Sequence, residues 1–201
     1  EGRWLQALTQ SIVRESMVKE SWGEGSRVRH PLCFPPQFGC SDVGAVRYAY
    51  NPAKAKQLLA EAGFKDGFDI DIYAYRERNQ TEAMIGYLRA IGIRANLRFM
   101  QYAALREANR AGKSAMMHQT WGSFSVNDVS ASTPVYFKFG PDDISRVEAI
   151  RILLEKGDTS IDLASRRQAY GQALALIQEN WLAIPPSPLT SHYVGSRAPQ
   201  Y

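Results

Sequence analysis

The stretch "NPAKAKQLLAEAGFKDGFDIDIYAY", residues 51–75, decides the fold class because it holds a complete helix followed directly by a strand. Asn51 can accept a hydrogen bond from the free N–H groups of a first helical turn, and Pro52 suits the first helical position. Gly63 can take the left-handed conformation that ends a helix. In residues 68–75, apolar and polar side chains alternate with period two, which predicts a strand.

The same pattern of helix and strand repeats towards the C-terminus. Residues 80–91 have helical periodicity and stop at Gly92, and "IRANLRFM", residues 93–100, alternates again. A helix is predicted over Tyr102–Ala111, followed by a short apolar strand, "SAMMHQ", at residues 114–119. Strand, helix, strand, helix, strand predicts right-handed crossovers and an α/β fold: an open, largely parallel sheet flanked by helices.

Helices, a long loop and an extended tail are predicted on either side of these α/β units. One amphipathic helix is expected over Trp4–Val18, and the Gly- and Pro-rich residues 23–50 are expected to form a long ordered loop or a lobe boundary. Two further helices are predicted over Ile144–Glu155 and Ile161–Trp181. The proline-interrupted tail from residue 182 is expected to be an extended return or edge strand.

Composition and charge are those of an ordinary globular protein. Of the 201 residues, 45% are hydrophobic and 22% are charged, and the net charge of +4 comes from 24 Lys and Arg against 20 Asp and Glu. The basic residues are scattered among acidic ones, so no nucleic-acid partner is predicted. No apolar run approaches the roughly 20 residues that span a bilayer. The chain begins without Met or a signal sequence, and we expect it to be a fragment of a longer protein.

Two cysteines lie in the loop "HPLCFPPQFGC". Cys33 and Cys40 favour a local disulfide and an oxidising compartment, and closing so short a loop would contribute about 2.5 kcal/mol in the chain-entropy model. Free thiols are the first alternative. A zinc site with His30 is the second, although paired C-x-x-C spacing and a fourth local ligand are missing.

The segment "TWGSFSVND", residues 120–128, follows the third predicted strand, where binding loops of parallel sheets lie. Its aromatic and polar side chains are typical of a pocket for a small solute. The alternatives are that the two aromatics are ordinary core residues and that the histidine on the strand is a core or rim residue. The predicted ligand contacts are Trp121, Phe124, His118, Ser123, Ser125, Asn127 and Asp128.

The alternative functions are an α/β hydrolase-like enzyme using His118, Ser123 and Asp128, and a stand-alone regulatory or interaction domain using the same sheet. A serine nucleophile on such a sheet needs a G-x-S-x-G elbow, whereas residues 122–126 read "GSFSV" and place Phe124 where the serine belongs. This spacing favours a ligand clamp over a catalytic triad.

Other catalytic and cofactor motifs are missing from the sequence. It contains no G-x-x-x-x-G-K-[ST], no G-x-G-x-x-G and no H-E-x-x-H, so no cofactor and no metal site is predicted. Asp69 and Asp71 fall on one strand face, and we interpret them as a solvated face rather than a catalytic pair.

Three runs carry a resemblance to a known family: "YAYNPAKAKQLLAEAGFKDGFDIDIYA", "GYLRAIGIRANLRFMQYAALREANRAGKSAMMHQTWG" and "SRRQAYGQALALIQENWLAIPPS". With the opening "WLQALTQSIVRESMVK", they resemble the C-terminal part of the solute-binding proteins of peptide/nickel-type ABC importers, extracellular family 5. The resemblance implies a periplasmic-binding-protein type II fold with two lobes. Residues 1–181 would be the second lobe, and residues 182–201 would return towards the first.

The resemblance also implies a function. The protein would be a monomeric, non-enzymatic receptor in the periplasm, or outside the cell at the membrane. It would bind a small or peptide-like solute in the interlobe cleft and deliver it to an inner-membrane ABC permease.

Individual site residues follow from the same resemblance. Trp121 matches a tryptophan that begins the cleft-lining loop, and oligopeptide and dipeptide receptors carry an Asp three residues after it to pair with the peptide amine. Phe124 stands there in this chain, which leaves the amine without that anchoring charge. His118 matches a position that is cationic in some oligopeptide binders. Asn127 and Asp128 fall near the family's "DP" region, without its proline.

Overall fold

A computed structural model describes residues 2–22, 28, 30–41, 47–120, 122 and 126–184. In this part of the chain, helices and strands alternate as α/β units and a helical region follows. The helices and strands are α1 Arg3–Ser11, α2 Arg14–Trp22, α3 Pro52–Glu61, β1 Phe68–Ala74, α4 Arg78–Ala90, β2 Ile93–Phe99, α5 Tyr102–Arg110, β3 Met116–His118, α6 Thr133–Phe137, α7 Glu148–Thr159 and α8 Leu163–Glu179.

The three strands form one parallel sheet in the order β2-β1-β3. Ile72 of β1 lies opposite Leu97 of β2 and Met116 of β3. The predicted α/β class, the parallel sheet and its three strands are therefore confirmed, with the third strand shorter than predicted. The strands run parallel because each connection between them crosses the sheet through a helix, so that the next strand starts at the same edge.

The two faces of the sheet differ. The face bearing Ile72 packs under helices α1, α3 and α4 in a cluster of buried side chains: Ala7, Leu8, Ala55, Leu58, Leu59, Ile72, Leu88, Ile91, Ile93 and Ala95. On the opposite face, Asp69 pairs with Arg94 at 2.9 Å and Asp71 with Arg98 at 2.9 Å. The two aspartates thus lie on an ion-paired face, which agrees with their interpretation as non-catalytic.

Helix α3 begins and ends through its local sequence. Oδ1 of Asn51 accepts a hydrogen bond from the Lys54 N–H at 2.9 Å, and Pro52 opens the helix. Gly63 has φ +89°, a conformation that costs a glycine little.

The prediction of one helix over Trp4–Val18 was wrong, because the segment forms α1 and α2 with a break between them. Ile12 is extended at the end of α1, with φ −105° and ψ 125°. The break lets the two halves pack in different places: Leu8 lies in the sheet cluster, whereas Ile12 and Met17 pack with Met84 in a second cluster.

The predicted starts of the last two helices were also wrong. Ile144 is exposed in a turn, where the Asp143 carboxylate accepts backbone N–H groups at 2.9 Å, and α7 begins four residues later at Glu148. Ile161 is 97% exposed, and α8 begins after Asp162, which caps it. Both isoleucines continue the apolar periodicity of the helix that follows, although their side chains are exposed.

Helices α7 and α8 build a third cluster with the loop at residues 32–40 and with α6, a short helix that the sequence did not predict. The buried members are Leu32, Cys33, Val129, Phe137, Ile150, Leu154, Tyr170, Ala173, Leu174 and Ile177. The predicted extended tail lies outside the described residues from residue 185 onward.

Candidate functional site

The carboxyl ends of β1 and β3 mark the point where the chain changes direction across the sheet. From β1 the chain crosses to β2 on one side and then returns to β3 on the other. In open α/β sheets, ligands bind in the crevice outside such a switch point. A hydrogen bond between the Tyr75 hydroxyl and the Thr120 hydroxyl joins the two strand ends here.

A cavity of about 380 Å³ opens beside this edge, between the three hydrophobic clusters. Most of its walls are apolar side chains, which include Trp4, Leu5, Leu8, Ile12, Met17, Met84, Met116, Leu182 and Ile184. A smaller set of polar side chains also lines it, including Arg14, Glu77, Gln80, His118, Gln119 and Thr120. An apolar body with a few polar groups is the usual composition of a small-molecule pocket.

His118 is the predicted contact that the structure places in this cavity. Its Nδ1 lies 2.8 Å from the Thr81 hydroxyl, and that hydroxyl donates its one hydrogen to the Glu77 carbonyl at 3.2 Å. Nδ1–H is therefore the donor to Thr81, which leaves Nε2 as a hydrogen-bond acceptor. Burial lowers the pKa of His118 to about 4, so the ring is neutral near pH 7.

Gln80 is a second polar group at this end of the cavity. Its side-chain nitrogen donates to the Glu77 carboxylate at 3.3 Å. Its oxygen Oε1 is buried and has no hydrogen-bond partner in the part of the chain that the structure describes. Since an unmade buried hydrogen bond costs about 1–3 kcal/mol, Oε1 is suited to accept a hydrogen bond from a bound solute.

Sequence reasoning missed Gln80, Glu77 and Thr81. They lie at the start of α4, directly after β1. The rule that drew attention to the loop after β3 applies equally to the loop after β1, because both strands end at the same edge. Applied to β1, the same rule would have indicated the start of α4 as part of the site.

Arg14 is a buried cation in the wall of the cavity. It is 5% exposed, and its guanidinium donates to the Tyr48 carbonyl at 3.2 Å. No carboxylate of the described residues forms an ion pair with it. Burial lowers its pKa from the usual range of arginine.

Asn127 and Asp128, the other predicted contacts that the structure describes, do not gather around His118. The Asp128 carboxylate accepts the Ser130 N–H at 2.9 Å and pairs with Arg166 at 3.1 Å, and neither Asn127 nor Asp128 lines the cavity. The predicted contacts outside the described residues are Trp121, Ser123, Phe124 and Ser125. The triad interpretation lacks its acid–base pair, because the His118 ring bonds to Thr81 and Asp128 bonds to Arg166.

Cys33 and Cys40 form a disulfide with Cα atoms 5.6 Å apart, the pairing that the sequence favours. Their sulfurs are therefore not zinc ligands. Among the described residues, no group of three His, Cys, Asp or Glu side chains could hold a metal ion. In the same part of the chain, no helix has the length and apolar character needed to cross a membrane.

The fold is that of the type II periplasmic binding proteins. The structure of HbpA2 from Haemophilus parasuis superposes with a TM-score of 0.83 and 25% identity, over 92% of this chain and 39% of that chain. The sequence profile of bacterial extracellular solute-binding proteins, family 5 Middle, matches residues 5–143, and the chain belongs to this family. The resemblance seen in the sequence is thereby confirmed.

Two curated relatives have names that state what they bind. Heme-binding protein A of Haemophilus influenzae is 24% identical over 216 residues, covering 95% of this chain and 39% of that protein. The glutathione-binding protein GsiB of Salmonella choleraesuis is 30% identical over 141 residues, covering 65% of this chain and 27% of that protein. The chain thus spans at most about two fifths of these relatives. Both are named as binding proteins, which agrees with the prediction that this chain is not an enzyme.

Proposed function

We propose that this chain is the second lobe of the substrate-binding component of an ABC importer. Residues 1–181 form the lobe, and residues 182–201 lead back towards a first lobe. The receptor binds its solute between the lobes, outside the cytoplasm, and delivers it as a monomer to a membrane permease. The observation that carries this proposal is the partly polar cavity at the switch point between β1 and β3, in a chain of the solute-binding family.

The polar end of the cavity supports a role in solute recognition. Neutral His118 offers Nε2 and Gln80 offers Oε1, so two acceptors are available to a solute that carries N–H or O–H donors. Trp121, Phe124, Ser123, Ser125 and Asn127 are proposed contacts from the loop after β3. The Asp128 carboxylate is already bonded within the lobe, and we propose that its contribution to the site is through the loop.

The nature of the solute follows in part from these groups. With Phe124 where peptide receptors carry an Asp, the loop offers no carboxylate to a peptide amine at that position. The large apolar wall favours a solute with an apolar body. The names of the two relatives make hemin and reduced glutathione the first solutes to test.

Isothermal titration and thermal unfolding of the intact protein test the proposal. A solute at 100 times its Kd stabilises the folded state by about 2.7 kcal/mol, so a cognate solute raises the Tm by several degrees without turnover. Gln80→Leu removes the free acceptor and is expected to weaken binding by about tenfold.

Gln57→Leu is the matched control, because Gln57 lies on the exposed side of α3, where it bonds to Glu61 at 2.8 Å. Equal loss of affinity in both variants would argue against a contact at Gln80. Hydrolysis of generic esters or peptides, with no stabilisation by any solute, would favour the enzyme instead.

A further inference from the structure

We propose that the disulfide-closed loop at residues 33–40 positions the end of the loop after β3, residues 120–128, here called the solute loop. Phe38 and Arg166 act as positioning residues. The part concerning solute rests on the function proposed above. The segment that is positioned is residues 126–131, where the chain leaves the loop after β3 and enters a single 3₁₀ turn at Val129–Ala131.

The backbone contacts are reciprocal. The N–H of Phe38 donates to the Asn127 carbonyl at 2.9 Å, and the N–H of Val129 donates to the Phe38 carbonyl at 3.0 Å. The Gln37 side chain adds a hydrogen bond to the Asp128 carbonyl at 3.3 Å. Three consecutive residues of the segment are thus held by two residues of the disulfide loop.

Side chains of helix α8 hold the same junction. The Arg166 guanidinium lies 4.9 Å from the centre of the Phe38 ring and the Arg167 guanidinium lies 4.7 Å from it, so two cations contact one aromatic face or edge. Arg166 also bonds to Asp128 at 3.1 Å and to the Gly157 carbonyl at 2.9 Å. One arginine therefore joins the disulfide loop, the solute loop and the end of α7.

The disulfide loop is ordered by its own bonds. The N–H of Gln37 donates to the Phe34 carbonyl at 2.8 Å, and the Cys40 N–H donates to the Gln37 carbonyl at 3.1 Å. At Gly39, with φ +82°, a side chain would overlap the Tyr170 ring of α8. The cross-link restricts the conformations that Phe38 reaches, so the junction is ordered before any solute arrives and the ordering cost of binding falls.

Hydrogen exchange of the intact protein tests this inference without a solute. In Cys33→Ala/Cys40→Ala, amides of residues 126–131 are expected to exchange about tenfold to a hundredfold faster, while amides of Phe68–Ala74 keep their rates. Phe38→Ala keeps the disulfide and removes the ring between the arginines, so a smaller acceleration of the same amides is expected. Phe99→Ala is the control, because it removes an aromatic under Arg78, whose guanidinium lies 5.5 Å from the ring.

Two results would overturn the inference: unchanged exchange at 126–131 in the double variant, or equal acceleration throughout the sheet. Titration with hemin and reduced glutathione then separates positioning from simple stability. For whichever of these binds, Phe38→Ala is expected to raise the Kd by about threefold to tenfold, in addition to the fall in Tm that follows from removing the ring from the third cluster. A fall in Tm with unchanged Kd would contradict a positioning role. If neither probe binds, the solute assignment fails while the exchange data still decide the structural part.

Discussion

The guanidinium of Arg166 lies 3.1 Å from Oδ2 of Asp128, and the two side chains join helix α8 to the exit of the loop after β3. Oδ1 of the same aspartate accepts the Ser130 N–H at 2.9 Å and so caps the 3₁₀ turn. Both side chains are 20% exposed, which makes this pair less screened by water than an open surface pair. The aspartate therefore stabilises the shape of the loop.

Substitutions at Asp128 distinguish the contribution of its bond to the Ser130 N–H from that of its ion pair with Arg166. Asp128→Ala removes the cap and the ion pair, and we expect a loss of about 1–3 kcal/mol in the free energy of unfolding, measured in urea. Asp128→Asn keeps an oxygen for Ser130, so its loss is smaller. Asp69→Asn, which breaks the exposed pair with Arg94, is the control and changes stability little. Unchanged stability of Asp128→Ala with weaker solute binding would instead identify a direct contact.

Gly67 and Gly86 are expected to respond oppositely to alanine. Gly67 precedes β1 with φ +73°, and a Cβ there would overlap the carbonyl of Gly92, so Gly67→Ala is expected to cost about 2 kcal/mol or more. Gly86 lies within α4 with open space around it, so Gly86→Ala is expected to stabilise by about 0.5–1 kcal/mol. Denaturant midpoints of the two variants measure the difference. A Gly67→Ala variant as stable as the original protein would contradict the overlap with Gly92, and a destabilised Gly86→Ala variant would contradict the open space at Gly86.

The parts of the fold that depend on nearby residues could be predicted from the sequence. The start of α3 needs only Asn51 and Pro52, and the strands need only their own alternation. The break between α1 and α2 could not be predicted, because the apolar spacing continues through it. Its cause is the separate packing of Leu8 and Met17 against different parts of the fold.

The candidate site divides in the same way. His118 could be predicted because it ends β3, and ligands of parallel sheets bind at the carboxyl ends of the strands. Gln80 was missed because a glutamine in the first turns of a helix has the sequence pattern of a solvated residue, whereas here it is buried. The partner of Asp128 is 38 residues further along the chain, and no local pattern indicates that Arg166 would reach it.

The disulfide leads to a prediction about thiol chemistry. The intact, unreduced protein is expected to take up no alkylating reagent, because the structure bonds Cys33 to Cys40 and these are the two cysteines of the sequence. Intact mass after iodoacetamide, with and without prior reduction, measures this. Two adducts on the unreduced folded protein would show that both cysteines are free thiols.

The buried histidine predicts how stability depends on pH. The pKa of His118 is about 4 in the folded protein and about 6.5 in an unfolded chain, because burial disfavours the imidazolium. Between these values the unfolded chain binds a proton that the folded protein does not bind. The stability due to neutral His118 is therefore complete above about pH 6.5 and is lost as the pH falls towards about 4. Each pH unit in this window corresponds to about 1.4 kcal/mol, so over about 2.5 units the total loss is at most about 3.4 kcal/mol.

His118→Asn isolates this contribution, because an amide nitrogen can replace Nδ1 as the donor to Thr81 but does not titrate. Urea unfolding of both proteins at pH 7.5, 6, 5 and 4.5 gives the comparison. The free energy of unfolding of the original protein is expected to fall more steeply below pH 6.5 than that of the variant, and the two curves are expected to run parallel above it. Parallel curves over the whole range would mean that His118 titrates alike in the folded and unfolded chains. In that case the ring is not held neutral by burial, and its assignment as an uncharged hydrogen-bond acceptor in the cavity would be wrong.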